Sequence, residues 1–217
     1  MSIERLPDVE VPGHVPSGLG NADHPMRVMT RRVAGLQLPV WDPAARTEVA
    51  GFFDVLATEW HTRSSPERFA VVTDAFVRGL DPLLDRRDTA IELGSGTGFY
   101  SPMLAERFAA AFAIDIAIEM SLRAPAGPAH RVLADGGTLP VAAASADSIV
   151  LINAFLFPSE IDRVLRSGGA LLWVNSSGPQ TPIHLTSDEV VEALPFAVEG
   201  FESRAGAGTW AALRRVV

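Results

Sequence analysis

A strand, a glycine-rich turn and a helix are predicted to follow one another in the segment Ala90–Tyr100. Three glycines, Gly94, Gly96 and Gly98, alternate with other residues in the turn. Glycine lets the backbone turn sharply, and its missing Cβ lets a ligand approach the main-chain N–H groups. The segment therefore predicts a cofactor site at the end of a strand in an α/β core.

The spacing of these glycines distinguishes between cofactors. A dinucleotide fingerprint that begins at Gly94 and Gly96 needs its third glycine, or an alanine, at the position that Phe99 occupies. The side chain of Phe99 makes that fit poor. A nicotinamide-dependent oxidoreductase is therefore the weaker alternative.

Polar residues follow the next three predicted strands. Asp115 closes the second strand about twenty residues after the glycines, Asp135 and Gly136 follow the third, and Asn153 follows the fourth. Ligands collect at the carboxyl ends of parallel strands, where Asp115 can accept hydrogen bonds from both hydroxyls of a ribose. Asp115 could instead cap a helix, and Asp135 could be a turn aspartate.

The pattern E-x-G-x-G-x-G, from Glu92 to Gly98, closely resembles the first motif of the class I S-adenosylmethionine-dependent methyltransferases. The segment Arg163–Gly169 resembles the turn that leads into the fifth strand of that family, with Ser167 where proline is usual. The resemblance covers residues from about 45 to 217. It implies methyl transfer from S-adenosylmethionine to a small-molecule acceptor, with S-adenosylhomocysteine as product.

The resemblance also implies roles for single residues. Glu92 would organise the glycine loop and meet the methionine amino group, Asp135 would meet the adenine amino group, and Trp60 would lie over the cofactor. A buried aromatic pair at a helix end explains Trp60 and His61 nearly as well. The implied cofactor site comprises Glu92, Gly94, Ser95, Gly96, Gly98, Asp115, Ile116, Asp135, Gly136, Asn153 and Trp60.

Asn153 is followed by Ala-Phe-Leu and not by the Pro-Pro-aromatic sequence of methyltransferases that act on the amino groups of bases. Base methylation is therefore not supported, and Asn153 is expected to fix its loop.

Two histidines are candidates for a general base. His184 lies in the loop after the fifth predicted strand, and His61 lies between two predicted helices. Histidine titrates near neutrality and could remove a proton from a hydroxyl acceptor. His184 could equally cap the following helix or face solvent, and alignment of the reactants alone could carry the reaction. The histidines have no metal-ligand spacing, so we predict no metal.

The amino-acid composition limits the kinds of partner that the protein is expected to bind. The 217 residues carry a formal charge of −8, which disfavours a nucleic-acid partner. The longest apolar run, Ile149–Pro158, is about half the ~20 residues of a membrane-spanning helix, and no export signal is visible. Together with the absence of cysteine, this predicts a cytoplasmic enzyme without a membrane partner. The sequence leaves a homodimer open, and also a non-catalytic protein that binds S-adenosylmethionine.

The predicted architecture is an α/β, Rossmann-like, mostly parallel sheet of seven strands with helices on both faces and an antiparallel last strand. Residues 1–45 are expected to form an extended arm because they contain six prolines. Residues 46–88 should form helices that cover the active site, and residues 89–217 the cofactor-binding core. The predicted strands are Ala90–Leu93, Ala111–Asp115, Arg131–Ala134, Ser148–Ile152, Ala170–Val174, Gly200–Arg204 and Thr209–Val217.

Overall fold

The computed structural model describes residues 2–12 and 24–216, and it has one sheet of eight strands. The strands are β1 (Ile3–Arg5), β2 (Thr89–Leu93), β3 (Ala110–Asp115), β4 (His130–Leu133), β5 (Ala146–Ile152), β6 (Leu165–Asn175), β7 (Val198–Ala205) and β8 (Gly208–Arg215). Their order across the sheet is β1-β7-β8-β6-β5-β2-β3-β4. Only β8 runs antiparallel to its neighbours, so the mostly parallel sheet and the antiparallel last strand are confirmed.

Seven α-helices flank the sheet in the described part of the chain. They are α1 (Pro25–Val33), α2 (Pro43–Leu56), α3 (Pro66–Asp74), α4 (Ser101–Ala105), α5 (Ile118–Arg123), α6 (Pro158–Val164) and α7 (Ser187–Ala193). A 3₁₀ segment, Ala57–Arg63, follows α2, and a π-helical turn, Ala75–Leu80, continues α3. None of these helices is both long and apolar enough to cross a lipid bilayer.

Alternate residues of the central strands build two apolar cores. Ile91, Leu93 and Ile149 are buried on one face of the sheet, while Ala90 and Val150 are buried on the other. Because helices cover both faces of a parallel sheet, the sequences of its strands are nearly continuous runs of apolar residues. The chain passes from β2 to β3 and β4 on one side and returns to β5 on the other side of β2. This change of direction opens a crevice at the carboxyl ends of β2 and β5.

The two predicted N-terminal helices are confirmed. Asp42 caps α2 by accepting a hydrogen bond from Ala45 N at 2.9 Å, and α2 then continues into the 3₁₀ segment that carries Trp60 and His61. The second of these helices, α3, is capped by Ser65, whose Oγ accepts from Arg68 N at 3.3 Å.

The prediction of an extended arm was wrong for two segments of residues 1–45. Residues Ile3–Arg5 form β1, an eighth strand that pairs in parallel with β7. Pro25 does not prevent α1, because proline is favoured in the first turn of a helix and His24 Nδ1 caps that turn by accepting from Met26 N at 3.1 Å. The arm residues 13–23 lie outside the described part of the chain.

Candidate active site

The glycine loop between β2 and α4 has the backbone conformation that only glycine adopts readily. Gly94, Gly96 and Gly98 have φ angles of +65°, +55° and +71°. A Cβ on Gly94 would lie 2.7 Å from the Cβ of Ala154, and a Cβ on Gly96 would lie 3.1 Å from Trp60 Nε1. The sequence therefore has glycine where backbone conformation and close packing require it.

Asp115, at the end of β3, joins the glycine loop to the start of the next segment. One carboxylate oxygen accepts from Gly96 N at 2.7 Å and the other accepts from Ala117 N at 2.8 Å. Burial raises the pKa of Asp115, and the backbone N–H donors oppose that effect. Asp115 does not cap α5, which has no side-chain cap bond, and instead fixes the backbone of the glycine loop and of the residues before α5. The carboxylate also lines a cavity, as a ribose contact would require.

Glu92 is a buried carboxyl group within the glycine motif. Its Oε2 accepts from Ser101 Oγ at 2.5 Å, which ties β2 to the first turn of α4. The pKa of Glu92 is raised to about 7, chiefly by burial and also by the nearby charge of Asp115, although the Ser101 hydrogen bond opposes this rise. Glu92 therefore changes charge near neutrality. It also lines the larger of two cavities in the crevice.

Asp135 follows β4 and is held by residues from the N-terminal region. Its Oδ1 accepts from Trp41 Nε1 at 2.8 Å and from Gly137 N at 2.7 Å, and its Oδ2 pairs with Arg46 Nη1 at 3.1 Å. Sequence reasoning missed Trp41 and Arg46. The only local hint was that both flank the helix cap Asp42-Pro43. Next to Asp135, a Cβ on Gly136 would lie 2.7 Å from the ring of Phe157.

Asn153 fixes its loop, as expected. Its Nδ2 donates to Ser176 Oγ at 2.9 Å and its Oδ1 accepts from Ser176 N at 2.8 Å. These bonds join the carboxyl ends of β5 and β6. Asn153 has a φ of +53°, which is rare for a residue other than glycine.

Two adjoining cavities occupy the crevice. The larger one has a volume of about 320 Å³ and is lined by Glu92 and Ser95, with His61, Arg63 and Arg68 at its N-terminal wall. The smaller one has a volume of about 80 Å³. Asp115, Ile116, Gly136, Trp41 and Phe157 are among the residues that line it.

Trp60 lies between the two cavities and lines both. Its ring meets the ring of Phe53 edge to face, with 5.9 Å between their centroids. Gly94, Gly96 and Asn153 also line both cavities. The predicted cofactor residues are therefore brought together around one crevice, except that Asp135 and Gly98 line neither cavity.

The two candidate histidines lie in different places. His61 is exposed and lines the larger cavity. His184 is 8% exposed and lines neither cavity, although its neighbour Ile183 lines both. The pKa of His184 is lowered to about 4, chiefly by burial and also by the charge of Arg27. The geometry therefore does not support His184 as a base.

No three residues of the metal-binding types His, Asp and Glu come together in the described ranges in a way that could hold an ion.

Residues 91–173 match the sequence model of a family described as the methyltransferase domain. This segment is therefore similar to methyltransferase domains. It begins in β2 and ends in β6, so it contains Glu92, the glycine loop, Asp115, Asp135 and Asn153.

The chain is also similar in sequence to a curated protein. Over 160 residues the chain is 31% identical to the bifunctional biotin biosynthesis protein BioHC of Cellvibrio japonicus, a match that covers 63% of this chain and 32% of that protein. The chain thus spans about a third of the length of this curated relative.

Two solved structures are similar in fold. An S-adenosylmethionine-dependent methyltransferase from Aquifex aeolicus has a TM-score of 0.54 at 17% identity, with 82% of this chain and 100% of that chain covered. The DhpI-SAH complex has a TM-score of 0.61 at 16% identity, with coverages of 77% and 95%. The chain therefore has the fold of class I methyltransferases, as the resemblance of the glycine motif implied.

Proposed function

We propose that the protein binds S-adenosylmethionine and transfers its methyl group to a small-molecule acceptor. The observation that carries this proposal is the bond of 2.7 Å between Gly96 N and Asp115, which joins the glycine loop to the β3 carboxylate at the edge of both cavities. This arrangement lies inside a segment that matches the methyltransferase domain family.

The residues around the crevice fit the cofactor. Gly94 and Gly96 offer main-chain approach without a Cβ, Asp115 would accept from the ribose hydroxyls, and Ile116 and Gly136 would border the adenine. Glu92 would face the methionine amino group from the larger cavity. A volume of about 80 Å³ is below that of a usual small-molecule site, so we expect the Trp60 side chain, which lies between the two cavities, to move on binding.

The bound cofactor supplies a methyl group on a sulfonium, which is already electrophilic. The chain then has to hold the acceptor in line with that group and exclude water, and alignment alone can contribute roughly 7–11 kcal/mol. The larger cavity provides the space for the acceptor. If the acceptor must lose a proton, His61 is the histidine that lines this cavity and could take it.

Calorimetry with S-adenosylhomocysteine and, separately, with NADH tests the cofactor assignment. We expect saturable binding of one S-adenosylhomocysteine per chain and no binding of NADH. Failure of S-adenosylhomocysteine to bind would refute the proposal. Transfer of a labelled methyl group to a small-molecule extract then distinguishes an enzyme from a non-catalytic binding protein, because only an enzyme gives a labelled product.

Three expectations from the sequence stay predictions. They are the cytoplasmic location, the absence of a nucleic-acid partner and the homodimer that the sequence leaves open.

A further inference from the structure

Two arginines at the wall of the larger cavity form no ion pair with an acidic residue in the described part of the chain. Arg63 and Arg68 both line this cavity, and neither forms an ion pair with a carboxylate of residues 2–12 or 24–216. By contrast, Arg46 forms an ion pair with Asp135. In a chain with a formal charge of −8, two arginines at one cavity without a described acidic partner form a local positive site.

The contacts of these arginines hold them near the cavity and leave donors free. The guanidinium of Arg63 lies 5.4 Å from the ring centroid of Trp60, a residue that lines both cavities. Arg68 uses one Nη to donate to the carbonyl oxygen of Arg63. A guanidinium has five N–H donors in a planar fork, so both side chains retain donors that match the two oxygens of a carboxylate.

The remaining charge in the cavity does not oppose an anion. Glu92 is the one carboxyl group among the described lining residues, and it lies buried against Ser101. Because burial raises its pKa to about 7, Glu92 carries only part of a negative charge at neutrality. His24 and His61, which also line the cavity, bring no negative charge.

Aromatic rings form much of the same cavity. Phe52, Phe53, Phe99 and Tyr100 line it together with Trp60. Phe99 and Tyr100 meet edge to face with 5.1 Å between ring centroids. Burial raises the pKa of Tyr100 to about 12, so its hydroxyl keeps its proton and can donate a hydrogen bond. A volume of about 320 Å³ is at the small end of the usual range for small-molecule sites.

We infer that the methyl acceptor is a small aromatic carboxylic acid, whose carboxylate is bound by Arg63 and Arg68 and whose ring packs against Phe99 and Tyr100. This inference rests on the proposed function, because it assigns the larger cavity to the acceptor. Arginine suits the task because its planar fork binds a carboxylate through two parallel hydrogen bonds.

The carboxylate of the cofactor's own methionine part has the same chemistry, so the test must separate the two sources. The first arm measures binding of 4-hydroxybenzoate and its neutral amide, 4-hydroxybenzamide, and of indole-3-acetate and its amide, to protein saturated with S-adenosylhomocysteine. The second arm compares S-adenosylhomocysteine with 5′-methylthioadenosine, which lacks the amino-acid part.

We expect at least one acid to bind the wild-type protein about tenfold or more tightly than its amide, as charge-assisted hydrogen bonds imply. Arg63→Gln and Arg68→Gln should each reduce this preference severalfold, and Arg68→Lys should restore part of it. Arg204→Gln is the matched control, because Arg204 also lacks a described acidic partner but lines neither cavity. It should keep the full preference.

Three results would overturn the inference. The first is that no acid binds, or that acids and amides bind equally. The second is that Arg204→Gln lowers the preference as much as the cavity variants do. The third is that the cavity variants weaken S-adenosylhomocysteine but not 5′-methylthioadenosine and leave the acid preference intact, which would assign the arginines to the cofactor. Failure of S-adenosylhomocysteine to bind to the wild-type protein would instead refute the proposed function.

Discussion

Asp115 holds the glycine loop in place with one oxygen and the segment after β3 with the other. Asp115→Ala should therefore weaken S-adenosylhomocysteine binding at least tenfold, because charge-assisted hydrogen bonds contribute about 1.5–3 kcal/mol each. Calorimetry measures the effect. Asp85→Ala is the control, since the Asp85 side chain is 81% exposed and lines neither cavity. An unchanged affinity in Asp115→Ala would contradict the cofactor assignment.

Glu92 should give stability a distinctive pH dependence. Its pKa is about 7 in the folded protein and near 4.5 when the chain is unfolded. Between these values the folded protein keeps a proton that the unfolded chain releases, so the free energy of unfolding falls as pH rises from about 4.5 to about 7 and levels off above. The fall is at most about 3 kcal/mol.

Urea unfolding of the wild-type protein and of Glu92→Gln, at about pH 5 and about pH 7.5, isolates this contribution. Glutamine does not titrate, so the variant should lose the Glu92 part of the pH dependence while every other titrating group contributes equally to both proteins. Parallel pH dependences in the two proteins would show that Glu92 is ionised when folded.

Sequence reasoning found the residues that belong to a short motif or that follow it at a typical spacing. The glycines and Glu92 belong to one short motif, and Asp115 follows it at a typical spacing. Trp41 was missed because its contact with Asp135 joins positions 94 residues apart. His184 was misplaced for a related reason: a loop sequence does not show which of two neighbours, Ile183 or His184, borders the cavity.

Among the elements, α2 and the segment before it form the wall of the smaller cavity. Trp41→Phe should keep the ring packing against Phe155 and Phe157 but remove the N–H that binds Asp135. One hydrogen bond contributes about 1 kcal/mol, so we expect S-adenosylhomocysteine affinity to fall about fivefold. Hydrogen exchange should also become faster in α2 and remain unchanged in α7. Wild-type affinity and exchange in this variant would show that the bond does not hold the wall.

The central elements were predictable because periodic apolar runs and helix caps are local features. Ser65 and Pro66 define the start of α3, and the strands from β2 to β8 lie within two residues of their predicted bounds, except that β6 begins five residues earlier than predicted. The element β1 was not predictable in the same way. A strand of only three residues is too short to show a periodic pattern. It forms because β7 offers a free sheet edge, which exists only once the rest of the sheet has folded.

In the molecule as a whole, β1 and the cofactor crevice lie on different parts of the sheet. The strands β7, β8, β6 and β5 separate β1 from β2. Deleting residues 2–9 should therefore lower the Tm by roughly 5 °C, since it removes several backbone hydrogen bonds to β7. Calorimetry should show unchanged S-adenosylhomocysteine affinity. A matching loss of affinity would show that the edge strand supports the crevice after all.

The pairing of β1 with β7 also constrains the order in which the protein can fold. Ile3 pairs with Gly200, so almost the whole chain forms the loop that this contact closes. Closing such a loop costs about 2 kcal/mol more in chain entropy than closing a loop of about 20 residues. On the ribosome, residues 3–5 emerge before β7 and β8 and must wait until those strands have been synthesised. This early segment is thus among the last to dock, and until then it is available to chaperones and proteases.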